Sequence, residues 1–267
     1  MTYPKVWFVG AGPGAADLLT LRGARVIGEA DVVVWAASLV SEQVLDHARP
    51  DAEIVDSARL SLEQVRPIYE RAAREGLVVA RIHSGDPALW GAVQEQRELC
   101  DAIGIPHETV AGVSAFSAVA ALVDRELTVP EVAQSVILSR LGGGKTPMPA
   151  GESVAEFARH GTTMAVFLSA ARARQLAAEL REGGYGEDTP VVVAYAVTWP
   201  DELVLRCTVG TLAETVRRHK LWKQTLFLVG PALSAAGTRS HLYHPGHFHG
   251  HRRADPAARA ALRKHDD

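Results

Sequence analysis

Three glycines at alternate positions follow an apolar run near the start of the chain: Gly10, Gly12 and Gly14 come after residues 6–9. Glycine adopts backbone angles that other residues avoid, and it lets a ligand approach the main chain closely. A helical pattern begins soon afterwards, and the first N–H groups of a helix have no partner within that helix. These residues therefore predict a strand, a loop and a helix whose backbone groups together bind a ligand.

A dinucleotide site fits these glycines poorly. The dinucleotide fingerprint requires G-x-G-x-x-G and an acidic residue at the end of the second strand. This chain has G-x-G-x-G, and Asp31 precedes the second predicted strand, residues 32–35, instead of ending it. An enzyme that binds NAD or ATP remains an alternative, as does a tight turn that holds no ligand.

A second glycine-rich segment, residues 142–146, invites comparison with a phosphate-binding P-loop. A P-loop needs a glycine five residues before its last glycine, and Ser139 occupies that position. Two prolines also disturb the helix that should follow. We expect instead a mobile loop that presents Arg140 and Lys145 to an anionic substrate.

Two further junctions repeat the order of strand, glycine and helix. The apolar strand 77–82 leads into Gly85, Asp86 and Pro87, where the aspartate is suited to capping a helix and the proline to its first position. Strand 107–110 leads into Gly112 and Ser114, the latter an N-cap candidate for a helix that runs to residue 123.

Alternating strands and helices imply a mostly parallel sheet with right-handed crossovers in this half of the chain. Ligands of such sheets bind at the carboxyl ends of the strands. The small residues 36–40 follow the second strand and belong to that same edge. The first helix is predicted over residues 18–30, with Leu18, Leu21, Val26 and Ile27 on its buried face.

The pattern breaks at residues 124–130, where we place a domain boundary. The predicted domains are 1–125, with the glycine-rich loop, and 130–235, followed by a partly disordered tail, 236–267. In the second half, strand 203–209 is expected to return antiparallel to strand 191–196, so this half is α+β. Helix-capping sequences begin at Ser61, Ser153 and Thr211.

The composition predicts a globular protein without a nucleic-acid partner. The 267 residues are 47% hydrophobic and 22% charged, and the formal net charge is −3. Cys100 and Cys207 lack metal-ligand spacing and are expected to be reduced structural thiols. We find neither a leader segment nor an apolar stretch long enough for a bilayer, and we expect a soluble, cytoplasmic protein.

The tail carries histidines at 241, 244, 247, 249 and 251. Clustered histidines sometimes bind metals, but no carboxylate or thiol lies nearby, so we assign no metal site. Residues from 252 onward are charged and alanine-rich, and we expect them to be frayed.

The ordered set of junctions resembles the tetrapyrrole methylase family, methyltransferases with two α/β domains that use S-adenosylmethionine (SAM). The resemblance covers residues 4–250 and rests on V-G-A-G-P-G at 9–14 with L-T-L-R-G at 19–23, G-D-P at 85–87, and G-V-S-A at 112–115. Three shorter segments, at 36–40, 196–200 and 242–249, are similar to the branch that methylates C-11 of precorrin-4. The uroporphyrinogen-III branch has an aspartate where this chain has Ala36 and Ala37.

The resemblance implies a ligand trough between two α/β domains, SAM as methyl donor, S-adenosylhomocysteine as product, and a homodimer. It implies precorrin-4 or a related tetrapyrrole as substrate, and no nucleic-acid or membrane partner. The positions that correspond to SAM contacts are Pro13, Ser84, Gly85, Asp86, Leu89, Ser114, Ala115, Leu168, Ala196, Val197 and Thr225. For the substrate we select Arg22, Ser38, Arg140 and Lys145, since guanidinium groups match carboxylate geometry.

No catalytic acid or base is assigned, because the sulfonium methyl group of SAM is already electrophilic. Holding carbon, methyl and sulfur in line supplies about 7–11 kcal/mol in well-oriented reactions. The alternatives are the same reaction on cobalt-precorrin-4, another tetrapyrrole methylase such as the uroporphyrinogen-III enzyme, a nucleotide-binding enzyme, and a non-catalytic SAM-binding protein.

Overall fold

The strands form two five-stranded sheets, one from each half of the chain, in a computed structural model that describes residues 3–143, 146–237 and 240–262. The first sheet contains β1 (Lys5–Gly10), β2 (Val32–Trp35), β3 (Glu53–Asp56), β4 (Val78–His83) and β5 (His107–Val110). The second contains β6 (Val136–Arg140), β7 (Thr163–Phe167), β8 (Pro190–Tyr195), β9 (Leu203–Thr208) and β10 (Thr225–Val229). The predicted class, two α/β units, is confirmed.

Eight α-helices connect or flank these strands in the described part of the chain. They are α1 (Leu21–Glu29), α2 (Leu62–Glu75), α3 (Val93–Ile103), α4 (Ala115–Leu122), α5 (Val154–Ala158), α6 (Ala173–Glu182), α7 (Leu212–Arg218) and α8 (Pro256–Leu262). None of these described helices combines the length and the apolar character needed to cross a membrane.

The first sheet is parallel throughout, in the order β3-β2-β4-β1-β5. All four residues of β2 are buried, because helices cover both faces of the sheet. Side chains alternate along each strand, so Val6 and Phe8 of β1 pack in one core cluster and Val9 in the other. In this order the strands β4, β1 and β5 are neighbours, which brings the three glycine junctions to one edge.

The second sheet is mixed, in the order β6-β7-β10-β8-β9. Among its described strands only β6 and β7 pair in parallel, and β9 returns antiparallel to β8 as predicted. Its largest core cluster contains fully buried Met164, Leu176 and Phe227 under helices α5, α6 and α7.

The predicted first helix was partly wrong. Residues Ala16–Leu18 form a short 3₁₀ helix, and α1 begins only after Thr20, whose Oγ1 accepts a 3.0 Å hydrogen bond from the backbone N–H of Gly23. Leu21 is 93% exposed instead of buried. The cap fixes where the helix starts and thereby turns Leu21 outward, while Val26 and Ile27 face the core as predicted.

The other capping sequences had different outcomes. Ser61 and Ser153 both begin helices through reciprocal capping boxes, with α5 following Ser153. Thr211 precedes α7, but its Oγ1 accepts a hydrogen bond from the N–H of Thr208 instead of from the helix. Ser114 likewise precedes α4 without a side-chain cap.

Helix α4 joins the two halves of the fold. Although it follows β5 of the first sheet, Ala118 and Val119 pack in one cluster with Val192 and Leu226 of the second sheet. The proposed division at residues 125 and 130 stays a prediction.

The tail is more regular than expected. Residues Pro256–Leu262 form α8, and Asp255 Oδ1 accepts a 2.8 Å hydrogen bond from the N–H of Ala258 at its start. Arg252 Nη2 donates to the carbonyl of Leu242 at 2.7 Å. Residues 256–262 are thus helical in the structure, as their alanine-rich sequence favours, and the partly disordered tail stays a prediction.

Candidate functional site

The loops after β1 and β4 are joined through their backbones. Gly12 N–H donates to the Gly85 carbonyl at 3.2 Å, and Gly85 N–H donates back to the Gly12 carbonyl at 2.7 Å. Ala11 N–H donates to the His83 carbonyl at 2.8 Å, which extends the pairing beyond the ends of the strands. The first two junctions predicted from sequence therefore form a single structure.

The third junction touches both of the others, and only glycine fits there. A Cβ atom on Gly112 would lie 2.1 Å from the Gly85 carbonyl oxygen and 2.8 Å from the Gly10 Cα. A Cβ atom on Gly10 would lie 2.6 Å from the Gly112 Cα. These contacts are with backbone atoms that cannot move aside independently, so the glycines set how closely the three loops approach.

Asp86 has a different role from the predicted helix cap. Its Oδ1 accepts a 2.7 Å hydrogen bond from the N–H of Ala88, and its Oδ2 accepts one of 3.1 Å from the N–H of Gly112. A turn follows Pro87, and α3 begins only at Val93. One carboxylate therefore closes its own turn and ties the second junction to the third.

The second sheet closes over the first glycine loop. The turn after β8 places Trp199 so that its Nε1 donates to the Pro13 carbonyl at 2.9 Å. Thr198 Oγ1 accepts a 2.9 Å hydrogen bond from the N–H of Ala15. A Cβ atom on Gly14 would lie 2.4 Å from Trp199 Cδ1. In the sequence, Thr198 and Trp199 stand out only as part of the family-like segment 196–200, because their long-range partners leave no local signal.

Non-glycine residues with positive φ gather where β7 and β8 end. Leu168 has φ 52° and is 69% exposed, while Ala196 and Thr198 have φ 45° and 64°. Such conformations cost about 1–3 kcal/mol each and persist where the surroundings impose them. Two of these residues, Leu168 and Ala196, are predicted SAM contacts, and their backbones bend at the edge that faces the glycine junctions.

Several predicted SAM contacts lie in or beside the three junctions: Pro13, Ser84, Gly85, Asp86, Leu89, Ser114 and Ala115. Val197 and Thr225 differ from them. The side chain of Val197 packs in the core cluster around α4, and Thr225 is 7% exposed and donates from Oγ1 to the Lys223 carbonyl at 2.8 Å. Both side chains therefore contact the protein interior, which leaves the main chain of these residues for contact with a ligand.

The predicted substrate residues are dispersed among separate elements. Arg22 is exposed in the first turn of α1, and Ser38 is exposed in the turn after β2. Arg140 ends β6, and its Nη1 donates to the carbonyls of Leu141 and Thr146 at 3.1 Å each, so it stabilises its own loop. Lys145 lies outside the described residues.

A cleft of about 370 Å³ opens at the same edge, between the ends of β2 and β4 and the starts of α2 and α3. Ser84 and Leu89 line it together with Arg81 and His83, which sequence analysis did not select. Burial, and then the nearby charge of Arg81, lower the pKa of His83 to about 3, so the imidazole is neutral at physiological pH.

An aromatic contact connects this cleft to the second sheet. Trp90, at the rim of the cleft, packs against Phe167 at the end of β7, with ring centroids 4.7 Å apart. Trp90 has φ 54° and is 41% exposed. The site is thus an open edge with three fused loops on one side, a turn of the second sheet above them, and a polar cleft beside them.

Comparison with known proteins identifies a family and several relatives that this chain matches. The family described as Tetrapyrrole (Corrin/Porphyrin) Methylases matches residues 5–213. A "Precorrin-4 C(11)-methyltransferase" from Sinorhizobium sp. is 43% identical over 243 residues, which are 91% of this chain and 96% of that protein. A "Cobalt-precorrin-4 C(11)-methyltransferase" from Methanocaldococcus jannaschii is 42% identical, covering 86% of this chain and 88% of that protein.

Solved structures show the same architecture. The X-ray structure of a cobalt precorrin-4 methyltransferase, described as a cobalamin biosynthetic enzyme, matches with a TM-score of 0.83 and 41% identity over 86% of this chain and 96% of that one. A uroporphyrin-III C-methyltransferase from Thermus thermophilus, solved with S-adenosylhomocysteine, matches with a TM-score of 0.71 and 27% identity over 86% of this chain and 93% of that one.

Proposed function

The chain belongs to the tetrapyrrole (corrin/porphyrin) methylases, and from that premise we propose that it transfers a methyl group from SAM to C-11 of precorrin-4, giving precorrin-5 and S-adenosylhomocysteine. The observation that carries the proposal is the junction of three glycine loops, closed from the second sheet by Trp199, in a chain that is 43% identical to a precorrin-4 C(11)-methyltransferase over 91% of its length.

The donor is proposed to lie on the fused loops. Backbone groups are what this junction offers, because the space beside Gly85 is open to at least 4 Å while Asp86 and Trp199 hold the loops in place. The proposed contacts are Pro13, Ser84, Gly85, Asp86, Leu89, Ser114, Ala115, Leu168 and Ala196, with Val197 and Thr225 contributing through their main chains.

The reaction depends on how the protein positions the two reactants more than on proton transfer by its side chains. SAM supplies a methyl group that is already electrophilic, and an electron-rich ring carbon of the substrate attacks it. The carbon–carbon bond forms as the carbon–sulfur bond breaks, the electron pair of the broken bond stays on sulfur, and the methylated ring system releases one proton to solvent. Alignment of the reacting atoms supplies about 7–11 kcal/mol in such cases, so rigid loops suffice without an assigned catalytic base.

Arg22, Ser38, Arg140 and Lys145 are the proposed contacts to the acidic substrate. The relatives include enzymes named for precorrin-4 and for cobalt-precorrin-4 at similar identity, so the cobalt-containing substrate is the second candidate. A homodimer and a cytoplasmic location are further parts of the proposal and stay predictions.

Incubation of the purified protein with SAM and precorrin-4, followed by mass spectrometry and NMR, tests the proposal. We expect a product heavier by one methyl group, with the new carbon on C-11, and an equal amount of S-adenosylhomocysteine. Methylation at another ring carbon, or turnover of uroporphyrinogen III alone, would contradict the assigned reaction. Thermal-shift titration should show stabilisation by SAM and S-adenosylhomocysteine and none by NAD or ATP.

A further inference from the structure

One arginine at the proposed site, Arg81, has no acidic partner in the described part of the chain. Strand β4 alternates, so Arg81 and His83 point to the same face of the sheet, toward α2 and α3. The Nη1 atom of Arg81 donates to Ser57 Oγ at 2.5 Å, and its Nε donates to Gln96 Oε1 at 3.2 Å. Both acceptors are neutral, so the positive charge of Arg81 is solvated but not compensated.

The amide of Gln96 is fixed in this orientation. Its Nε2 donates to the Ala92 carbonyl at 3.0 Å, and its Oε1 also accepts a 3.0 Å hydrogen bond from the hydroxyl of Tyr69. Tyr69 is fully buried, and burial together with Cys100 raises its pKa, so it stays a neutral donor. The network therefore holds the guanidinium rigidly without neutralising it.

Three more exposed arginines of the fold have the carboxylate partner that Arg81 lacks within the described ranges. The more exposed Arg49 and Arg66, and Arg217 on α7, each contact a carboxylate at 2.6–2.8 Å. Among the described residues, no carboxylate lies within 4.0 Å of Arg81. A partly buried cation without a counter-ion is costly, unless a ligand supplies the charge.

The free part of Arg81 faces the cleft. Among the described residues, Nη2 of Arg81 donates no hydrogen bond. This atom is not fully buried, so solvent reaches it. His83 lines the same cleft at 8% exposure, and its Nε2 has no hydrogen-bond partner among the described residues. The serine hydroxyls of Ser61 and Ser84 complete the polar lining.

Resting on the proposed function, we propose that this cleft binds one peripheral carboxylate of the tetrapyrrole, which forms an ion pair with Nη2 of Arg81 beside the imidazole of His83. Guanidinium–carboxylate pairs give both energy and orientation, so this contact fixes how the macrocycle is rotated over the donor loops. The assignment adds a specificity residue to the edge of the first sheet, on a different element from Arg140, whose Nη1 donates to carbonyls of its own loop. Glu95 also lines the cleft, on its exposed side.

The first test replaces Arg81 by Met, which keeps most of its volume without the charge. We expect the KM for precorrin-4 to rise about tenfold or more, with the Kd for SAM, measured by calorimetry, unchanged. Arg81→Lys should recover part of the loss, and Arg66→Met, at an exposed ion pair of α2, should behave as wild type. A weakened Kd for SAM with unchanged KM for precorrin-4 would assign the carboxylate to the donor and overturn the proposal.

A second pair of variants leaves the buried network intact. Leu39 lines the cleft and is 50% exposed, so Leu39→Glu adds a competing carboxylate at the rim and Leu39→Gln is its uncharged match. Leu39→Glu should raise the KM for precorrin-4 several-fold over Leu39→Gln. Equal KM values would overturn the proposal even if Arg81→Met does not fold.

The outcome for the site is separable from the outcome for the reaction. If the wild-type protein forms no product from precorrin-4, the proposed function fails, and the site is judged by fluorescence titration with uroporphyrin III, a stable polycarboxylate tetrapyrrole. Weaker binding by Arg81→Met and Leu39→Glu than by wild type and Leu39→Gln supports the carboxylate site. Equal dissociation constants across all four proteins reject it.

Discussion

The indole Nε1 of Trp199 donates a 2.9 Å hydrogen bond to the carbonyl oxygen of Pro13, which lies 186 residues earlier in the chain. This contact fastens a turn of the second sheet to the first glycine loop, and the Trp199 ring occupies the space that a side chain at residue 14 would need. The donor site that we propose is therefore completed by both halves of the chain.

Replacing Trp199 by Phe tests this contact. The ring packing against Gly14 is largely kept, but the Pro13 carbonyl loses its donor, which costs about 1 kcal/mol and weakens SAM binding about fivefold. Isothermal titration calorimetry gives the Kd. Trp222→Phe, at an indole that is 61% exposed, is the control and should bind SAM as wild type does. Equal affinities for all three proteins would mean that the contact does not support the site.

Gly112→Ala tests the close approach of the three loops. Its Cβ would lie 2.1 Å from the Gly85 carbonyl, so the loops must separate, and we expect a loss of about 1–3 kcal/mol in the free energy of unfolding together with loss of SAM binding. Urea unfolding and calorimetry measure the two effects. Gly237→Ala, where nothing lies within 4 Å of the new Cβ, should change neither.

Asp86→Asn tests whether one carboxylate holds two junctions together. Both of its oxygens accept backbone hydrogen bonds, and an amide group offers only one such acceptor, so one N–H is left without a partner. Hydrogen bonds to charged groups contribute about 1.5–3 kcal/mol, and we expect the Kd for SAM to rise at least tenfold. The exposed Asp188→Asn serves as the control. Unchanged binding by Asp86→Asn would show that the loops hold their positions without it.

His83 predicts a specific loss of stability in acid. In the unfolded chain it takes up a proton near its ordinary pKa of 6.5, whereas burial and Arg81 lower the folded pKa to about 3. Its contribution is therefore present above pH 6.5 and is lost as the pH falls toward 3, by about 1.4 kcal/mol per pH unit. His83→Gln, which cannot protonate, should lose less stability between pH 7.5 and pH 5 than wild type does.

Urea unfolding at the two pH values measures that difference. His160→Gln, at an exposed histidine, is the matched control and should follow wild type. If wild type and His83→Gln lose the same stability on acidification, His83 is not the group that disfavours protonation.

Local sequence determined the elements and the junctions. Gly76 and Gly104 end α2 and α3 with positive φ. The continuous apolar run of β2 predicts a strand that is covered on both faces, and all four of its residues are buried. These features follow from steric and burial preferences of neighbouring residues, so they are legible without tertiary information. The same preferences placed the start of the first helix too early. They also predicted that Asp86 caps a helix, whereas its carboxylate accepts hydrogen bonds from Ala88 and Gly112.

The sequence by itself determined that three glycine-bearing junctions would share one edge of a parallel sheet, because alternating strands and helices imply parallel strands, whose carboxyl ends all lie at one edge. The tertiary structure alone decided which strands are neighbours and which distant groups complete that edge: Trp199 over Pro13, Asp86 across to Gly112, and Arg81 with no acidic partner among the described residues. Such pairings depend on how the two sheets pack and on which charged groups lie close to one another after packing. Neither can be inferred from the periodicity of residues along the chain.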